Sequence, residues 1–256
     1  MPALPLAALL EDLVPVIRAA GEVVMDIYRT NFSVRGKDDA SPVTAADEGA
    51  EALIVPALER LLPGVPVIAE EAVAAGRLPE IGRLFWLVDP LDGTKEFISR
   101  NGEFTVNIAL VEDGAPVLGA VLAPAIDRLF LGARGVGAFV EQGQVRKPIR
   151  CRPVPAEGLT VVASRSHGDA AALDAFLAGR TVAALKNAGS SLKLCLVASG
   201  DADLYPRLGR TMEWDIAAGH AVLAAAGGQV RTLAGEALRY GKPGLDNPHF
   251  VASGAA

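Results

Sequence analysis

The sequence is poor in the residue types that mark several classes of protein. It has two cysteines, three histidines and 5% aromatic residues among its 256 residues. Cys151 and Cys195 lie far apart and form no CxxC motif, which excludes a disulfide framework and a zinc site built on cysteines. Such sparse use of cysteine fits the reducing conditions of the cytoplasm. We therefore expect a cytoplasmic protein.

Excess positive charge and long apolar runs are lacking as well. The chain has 24 Lys and Arg residues against 30 Asp and Glu residues, a net charge of -6, so no overall positive field attracts nucleic acid. Its longest weakly apolar stretch, residues 217–228, is shorter than the ~18 residues that a membrane-spanning helix needs. No basic residue precedes Arg18, which is unlike a secretory signal. We expect neither a nucleic-acid partner nor a transmembrane segment.

The first half of the chain predicts two helices followed by strands. Apolar residues make up 51% of the sequence and charged residues 21%, a mixture typical of folded globular proteins. Apolar positions three or four residues apart predict a helix over 5–29. Residues 44–47 resemble an N-cap box that starts a second helix, which Pro56 should kink or break. Short apolar runs and hairpin signals predict strands at 65–69 and 85–88 and an antiparallel meander over 104–141.

The second half, after Pro155, alternates between strand and helix. Strands are predicted at 160–164, 181–185, 202–206 and 229–233. Helices are predicted to start near Asp169, Ser190 and Asp215. Because no low-complexity linker separates the halves, we predict an α/β protein that forms one unit of two packed halves, residues 1–155 and 156–256.

The densest chemical signal is the segment WLVDPLDGTKEF at 86–97. Asp89 and Asp92, followed by Gly93 and Thr94, predict a strand that turns tightly into the start of a helix. At such a turn the carboxylates can share hard cations, while the backbone N–H groups of Gly93 and Thr94 receive a phosphate. The alternative is an Asp-rich turn in which Asp92 only caps a helix.

Further acidic residues stand at the ends of predicted elements. Glu70 and Glu71 follow one strand, Asp47 lies in the first turn of a helix, and Asp215 starts another. Each has an ordinary explanation, as a solvated strand end, a capping-box partner or an acid that complements the helix dipole. Taken together, so many carboxylates at element ends predict an oxygen-rich Mg²⁺ site.

These motifs resemble the inositol monophosphatase superfamily of Mg²⁺-dependent, lithium-sensitive phosphatases. The matching segments keep the family's order and spacing, and they are PVTAAD at 42–47, EE at 70–71, DPLDGT at 89–94 and WDIAAG at 214–219. Other segments are similar to the CysQ branch of 3'(2'),5'-bisphosphate nucleotidases, namely KEF at 95–97, RNGEFTVNIAL at 100–110, SRSH at 164–167, GSSLK at 189–193 and LYPR at 204–207. The likeness runs from about Leu6 to Phe250.

The resemblance implies a layered α-β-α-β-α sandwich that hydrolyses a phosphate monoester. In the CysQ branch the substrate is 3'-phosphoadenosine 5'-phosphate, a by-product of sulfate assimilation, which loses its 3'-phosphate to give AMP. Two alternatives stay open: an inositol monophosphatase or broad sugar-phosphate phosphatase, and a sensor that binds the bisphosphate nucleotide without cleaving it. A monomer and a homodimer are both compatible with the resemblance, as is a peripheral position on the inner membrane face.

The same resemblance implies a set of metal ligands. One Mg²⁺ would be held by Glu70, Asp89 and the carbonyl of Leu91. A second would be held by Asp89, Asp92 and Asp215, so that Asp89 bridges the two; a third ion is also compatible with the resemblance. Two metals ~3.5–4 Å apart can stabilise both the attacking and the leaving oxygen of an in-line displacement.

Catalytic and substrate-binding residues are also implied. Thr94 and Asp47 would activate the water, with Glu71 in support, although Asp47 could instead pair with Thr44 in a capping box. The residues expected to contact substrate are Glu70, Leu91, Asp92, Gly93, Thr94 and Asp215 at the scissile phosphate, and Ser164, His167, Gly189 and Lys193 at the nucleotide end. The alternative for Lys193 is an ordinary surface lysine. We expect His220 to be a hydrogen-bonded core histidine.

Overall fold

Two long helices form the N-terminal layer. The computed structural model describes residues 4–30, 41–164 and 170–254. Helix α1 (Leu6–Tyr28) buries one apolar face, which includes the fully covered Leu13 and Ile17 and confirms the predicted periodicity. Helix α2 (Ser41–Leu61) packs beside it. Fully burying such a leucine or isoleucine stabilises the fold by roughly 1.5–3 kcal/mol.

Helix α2 corrects two expectations. It begins at Ser41 rather than near Thr44, so the predicted N-cap box is wrong and Asp47 lies in the second helical turn. The physical reason is Pro42, since proline suits the first turn of a helix, where its missing N–H has no partner to lose. The helix also continues through Pro56, and the expected break does not occur.

A seven-stranded sheet packs against this helix pair. Its strand order follows the chain, with β1 parallel to β2 and every later pair antiparallel, which confirms the predicted meander. The strands are β1 (Val67–Ala69), β2 (Leu84–Asp92), β3 (Thr105–Glu112), β4 (Ala115–Ala123), β5 (Arg128–Ala133), β6 (Gly137–Gln142) and β7 (Val145–Ile149). Two short helices, α3 (Glu70–Ala74) and α4 (Thr94–Ile98), follow β1 and β2, and a 3-10 turn spans Pro124–Ile126.

A second, five-stranded sheet has the order β12-β14-β10-β8-β9. Its elements and their connections are β8 (Leu159–Ser164), α5 (Ala170–Leu177), β9 (Val182–Ala188), α6 (Leu192–Ala198), β10 (Leu204–Arg207), β11 (Thr211–Met212), α7 (Glu213–Ala225), β12 (Gln229–Thr232), β13 (Asp246–Asn247) and β14 (Phe250–Ser253). The predicted alternation is confirmed, but β14 was not predicted; it inserts antiparallel between β12 and β10. β11 and β13 pair as a separate two-stranded ribbon.

Two cores hold the layers together. One lies between the helix pair and the first sheet; the other lies between that sheet, helices α6 and α7, and the second sheet. Helix α7 packs directly on the first sheet at Gly119. A side chain would not fit there, since a Cβ would lie 2.3 Å from the Ala218 carbonyl oxygen. This contact brings the start of α7 close to the end of β2. The layered α/β sandwich is therefore confirmed.

Within the described residues, no helix combines the length and apolar character that crossing a membrane requires.

Candidate active site

A cavity of about 460 Å³ collects the predicted acidic residues. It is bounded by the ends of β1 and β2, by α2, and by the elements between β9 and α7. The lining residues that the sequence predicted are Asp47, Glu70, Glu71, Asp89, Leu91, Asp92, Gly93, Thr94, Ser164, Lys193 and Asp215. Gly189 is not among the lining residues, and His167 lies outside the described residues.

The turn between β2 and α4 fixes the two central aspartates. Asp89 Oδ1 accepts a hydrogen bond from the Leu91 N–H at 3.0 Å, which ties the carboxylate to its own turn. Gly93 then adopts a left-handed conformation, with φ of 96°, that a side chain would strain. The register of β2 against β3 shifts between Asp89 and Asp92, so the strand is irregular where the carboxylates emerge. The predicted strand-to-helix turn is confirmed.

The start of α7 presents Asp215. Its Oδ2 accepts the Met212 N–H at 2.8 Å and so satisfies a backbone donor at the helix start. Ser191, in the GSSLK segment, connects this helix to β2. Its hydroxyl lies 2.6 Å from the Asp215 carbonyl oxygen and 3.1 Å from Asp92 Oδ2. One hydroxyl hydrogen serves one acceptor at a time, but the Ser191 N–H also donates to the Asp92 carboxylate, so Ser191 contacts both elements when its hydroxyl donates to the Asp215 carbonyl oxygen.

Burial and mutual repulsion shift the pKa values of these acids upward. Burial, followed by the charges of Glu71 and Glu70, raises the pKa of Asp47 to about 8. Burial and then the charge of Asp92 raise the pKa of Glu70 to about 7 and that of Asp215 to about 8.

The two aspartates of the β2 turn respond differently. Burial, Glu70 and Asp92 raise the pKa of Asp89 well above its ordinary value. Burial also raises the pKa of Asp92, but the neighbouring Lys193 charge and the Ser191 hydroxyl oppose that rise. Of these two aspartates, Asp92 is therefore the one whose negative charge is partly balanced by a nearby cation, Lys193.

The donor set suits Mg²⁺. Five carboxylates from β2, α3 and α7 line one cavity, and hard oxygen ligands are those that Mg²⁺ prefers. A divalent cation would also relieve the repulsion that raises their pKa values. In the part of the chain that the structure describes, no three His, Cys, Asp or Glu side chains already stand as a formed metal cluster. The fit therefore rests on the chemistry of the donors and on the cavity that they share.

Lys193 is buried, with 4% of its surface exposed, so the alternative of a surface lysine is wrong. Its Nζ donates to the carbonyl oxygens of Ser190 at 2.6 Å and Ala188 at 3.3 Å, and it lies over the Tyr205 ring. Burial lowers its pKa to about 8, and the charge of Asp92 opposes that shift. An ammonium has three donors, so one remains for the cavity.

Gly189 has a packing role. Its N–H donates to Glu103 Oε2 at 2.8 Å, and an added Cβ would lie 2.6 Å from Glu96 Cγ. Gly189 therefore allows close approach between the β9–α6 turn and the segment around α4, and its contact with substrate stays a prediction. His220 is a core residue as predicted, since its Nδ1 lies 2.9 Å from the buried Tyr240 hydroxyl.

Two arginines that line the cavity were not predicted from the sequence. Arg207 and Arg210 both line it, and Arg207 Nη2 donates to the Arg210 carbonyl oxygen at 2.9 Å. The buried Arg207 Nε has no hydrogen-bond partner among the described residues. The available signal was the LYPR segment at 204–207, from which the sequence analysis took no site residue. These cations stand on the side of the cavity that β10 and β11 form.

Comparison with known proteins now decides the family. A model of the inositol monophosphatase family matches residues 6–254, almost the entire chain. The chain belongs to the inositol monophosphatase family. Among curated members, it is 46% identical over 248 residues to the 3'(2'),5'-bisphosphate nucleotidase CysQ of Escherichia coli K12, covering 96% of this chain and 99% of that one. It is 47% identical to the same-named protein of Salmonella typhimurium, covering 91% of this chain and 94% of that one.

Solved structures of the inositol monophosphatase family agree. The crystal structure of CysQ from Bacteroides thetaiotaomicron superposes with a TM-score of 0.84 at 38% identity, covering 97% of this chain and 98% of that one. An inositol monophosphatase from Anabaena gives a TM-score of 0.78 at 27% identity, covering 98% of this chain and 92% of that one. The chain is therefore similar to CysQ proteins and to an inositol monophosphatase over nearly its whole length, and its identity to the CysQ proteins is higher.

Proposed function

We propose that this protein is an Mg²⁺-dependent 3'(2'),5'-bisphosphate nucleotidase that converts 3'-phosphoadenosine 5'-phosphate to AMP and phosphate. One observation carries the proposal: a single cavity is lined both by carboxylates and by cations. We call the first set the carboxylate wall (Asp47, Glu70, Glu71, Asp89, Asp92 and Asp215) and the second the cationic wall (Lys193, Arg207 and Arg210). A substrate with two phosphates needs both walls. The 46% identity to a curated CysQ nucleotidase supports this choice within the family.

The carboxylate wall would hold the metal. Glu70, Asp89 and the Leu91 carbonyl form one proposed ligand set, and Asp89, Asp92 and Asp215 form another, for two Mg²⁺ ions or three. When bound, Mg²⁺ supplies positive charge that stabilises the attacking and leaving oxygens. In this proposal the half formed by residues 1–155 contributes most metal ligands, and the half formed by 156–256 completes the site.

Thr94 and Asp47 would prepare the attacking water. Thr94 begins α4 and Asp47 lies on α2, and both side chains belong to the cavity lining. In the proposed relay, the Thr94 hydroxyl accepts a hydrogen bond from the water and donates its own hydrogen toward Asp47. Burial and the charges of Glu71 and Glu70 raise the pKa of Asp47 in the metal-free protein, and cations bound at these acids would lower it and leave the carboxylate able to accept that hydrogen. Glu71 lies close enough to contribute to that shift.

The scissile phosphate would rest on the turn before α4. The backbone N–H groups of Gly93 and Thr94 stand at the start of that helix, where the first N–H groups have no partner within the helix, and both residues line the cavity. Ser164 lines the cavity at the end of β8 and would contact the nucleotide. This arrangement orients the 3'-phosphate toward the carboxylates.

The second phosphate would meet the cationic wall. Metal ions at the carboxylates neutralise the phosphate that is cleaved, so the other phosphate needs separate cations. Arg207 and Arg210 supply planar guanidinium groups that bind phosphate oxygens in pairs. Lys193 would contribute its remaining donor near the ribose. We further propose that the protein acts in the cytoplasm or peripherally at the inner membrane face, as a monomer or homodimer.

A substrate panel tests this function. It compares 3'-phosphoadenosine 5'-phosphate, its 5'-phosphosulfate analogue, inositol 1-phosphate and fructose 1,6-bisphosphate by phosphate release, with Mg²⁺ and with chelator. We expect Mg²⁺-dependent release that is fastest from the adenosine bisphosphate. Preference for inositol 1-phosphate would instead support an inositol monophosphatase, and tight nucleotide binding without release would support a sensor.

A further inference from the structure

Helix α3 carries two acids of the carboxylate wall and is a single short turn, of which Ala72 and Val73 pack against the two cores while only partly buried. It is five residues long and begins with Glu70 and Glu71. None of its residues is buried, and the preceding Ala69 provides no side-chain cap for its free N–H groups. A single helical turn of this kind is marginal in water unless tertiary contacts hold it.

The missing cap comes from another helix. Glu51, on α2, is buried with 7% of its surface exposed, and its Oε2 accepts the Glu71 N–H at 2.9 Å. The Ala72 N–H also donates to this carboxylate. Two backbone donors in the first turn of α3 are therefore satisfied by one side chain from α2. Such charge-assisted bonds to backbone N–H groups are among the stronger hydrogen bonds in proteins.

Glu51 also links two parts of the wall. It follows Asp47 by one turn of α2, and the two side chains share a helix face. Its own carboxylate is taken up by α3 and is not part of the cavity lining in the described chain. The distance between Asp47 and the acids of α3 is thus set through Glu51.

We propose that Glu51 is a positioning residue that holds Glu70 and Glu71 in register with Asp47. The metal role of Glu70 rests on the proposed function, whereas the anchoring of α3 does not. Loss of the cap would let α3 open locally and withdraw a ligand from the site. The alternative is that Glu51 only adds negative charge to the acidic cluster.

Three variants separate these explanations. Glu51→Ala removes the cap and the charge, while Glu51→Gln removes the charge but keeps an oxygen acceptor. Glu48→Ala is the matched control, because Glu48 is an exposed acid one turn earlier on the same helix. Hydrogen exchange of the metal-free proteins, followed on peptides that span 70–76, reports directly on the anchoring. The Mg²⁺ concentration that gives half of the maximal thermal shift reports on the metal site.

We expect Glu51→Ala to speed exchange in 70–76 and to raise the half-saturating Mg²⁺ concentration by about tenfold. Glu51→Gln should stay within about threefold of wild type, and Glu48→Ala should match wild type. Unchanged exchange in Glu51→Ala would overturn the proposal, as would equal effects of Glu51→Ala and Glu48→Ala. If residues 70–76 exchange faster in Glu51→Ala than in wild type but wild type has no nucleotidase activity, the anchoring stands and the proposed function fails.

Discussion

The two walls of the cavity are built in different ways. The carboxylate wall consists of side chains from α2, from the ends of β1 and β2, and from the start of α7. Asp89 and Asp215 each bond a backbone N–H of their own turn, whereas the turn that carries Glu70 and Glu71 is capped by Glu51 of α2. The cationic wall consists of Lys193, Arg207 and Arg210, which come from separate elements of the second half. Burial shifts pKa values in opposite directions in the two walls: it raises the pKa of Asp47 and lowers the pKa of Lys193. Under the proposed function, reaction chemistry and substrate choice therefore reside in separable parts of one site.

The largest effect is expected in the carboxylate wall. Asp92→Asn removes a charge from the proposed second metal site and should nearly abolish turnover at saturating Mg²⁺. The fold should survive, because Asp92 sits at a turn and not in either apolar core. Circular dichroism checks the fold and phosphate release checks turnover. A variant that keeps more than about a tenth of wild-type activity, an effect below ~1.4 kcal/mol, would show that Asp92 is not a metal ligand.

The cationic wall should affect binding and leave the chemistry largely intact. Arg207→Met is expected to raise KM for 3'-phosphoadenosine 5'-phosphate by about ten- to a hundredfold with little change in kcat, since a charge-assisted contact contributes roughly 1.5–3 kcal/mol. Adenosine 3'-phosphate, which lacks the second phosphate, should be much less affected. Arg231→Met is the matched control, because Arg231 is an exposed arginine of the same sheet. Equal losses on both substrates would place Arg207 in the chemistry instead.

The pH dependence of folding stability in the metal-free protein also distinguishes the carboxylate wall from the cationic wall. The carboxyls of Asp47, Glu70 and Asp215 have pKa values of about 8, 7 and 8, well above those of an unfolded chain. Between about pH 4 and pH 8 the folded state therefore binds more protons than the unfolded state, and its stability falls as pH rises. Lys193, with its pKa lowered to about 8, acts in the opposite direction above that pH.

We expect Tm in chelator to fall by several degrees between pH 5 and pH 8. Added Mg²⁺ should raise Tm, and by more at pH 8, because the ligands must be deprotonated to bind. The family resemblance further implies inhibition by lithium. A Tm that rises over this pH range, or no response to Mg²⁺, would contradict the account of the carboxylate wall.

The smallest effect is expected where the two halves of the site are linked. Ser191→Ala removes the hydroxyl between Asp92 and Asp215 and should reduce kcat/KM by about fivefold, since one buried hydrogen bond contributes about 1 kcal/mol. Ser199→Ala, which follows the other end of α6, serves as the control. Equal activities of the two variants would show that this link is dispensable.

Sequence reasoning predicted the carboxylate wall well because its signals are local. Asp89, Asp92, Gly93 and Thr94 are nearly contiguous, and the turn that they form is specified by a glycine with positive φ. The layered fold followed from periodicity and from the meander signals. The catalytic and metal roles themselves stay predictions, since geometry alone does not assign them.

Of the cationic wall, the sequence predicted Lys193 but neither its burial nor the two arginines. Burial of Lys193 depends on carbonyl groups of the β9–α6 turn, and the close packing of Gly189 depends on Glu96 and Glu103, about ninety residues away in sequence. Arg207 enters the cavity through the pairing of β10 with the unpredicted β14. Glu51 was overlooked because an acid inside an amphipathic helix gives no signal of a tertiary cap. These features need contacts between distant segments.

The most direct test of the two-wall account compares kcat/KM for two substrates that differ only in the second phosphate. With Mg²⁺ present, phosphate release from 3'-phosphoadenosine 5'-phosphate should exceed that from adenosine 3'-phosphate by about tenfold or more, and chelator should abolish both. The carboxylate wall predicts the dependence on Mg²⁺, and the cationic wall predicts the ratio. Equal kcat/KM values for the two substrates, or full activity in chelator, would contradict the account.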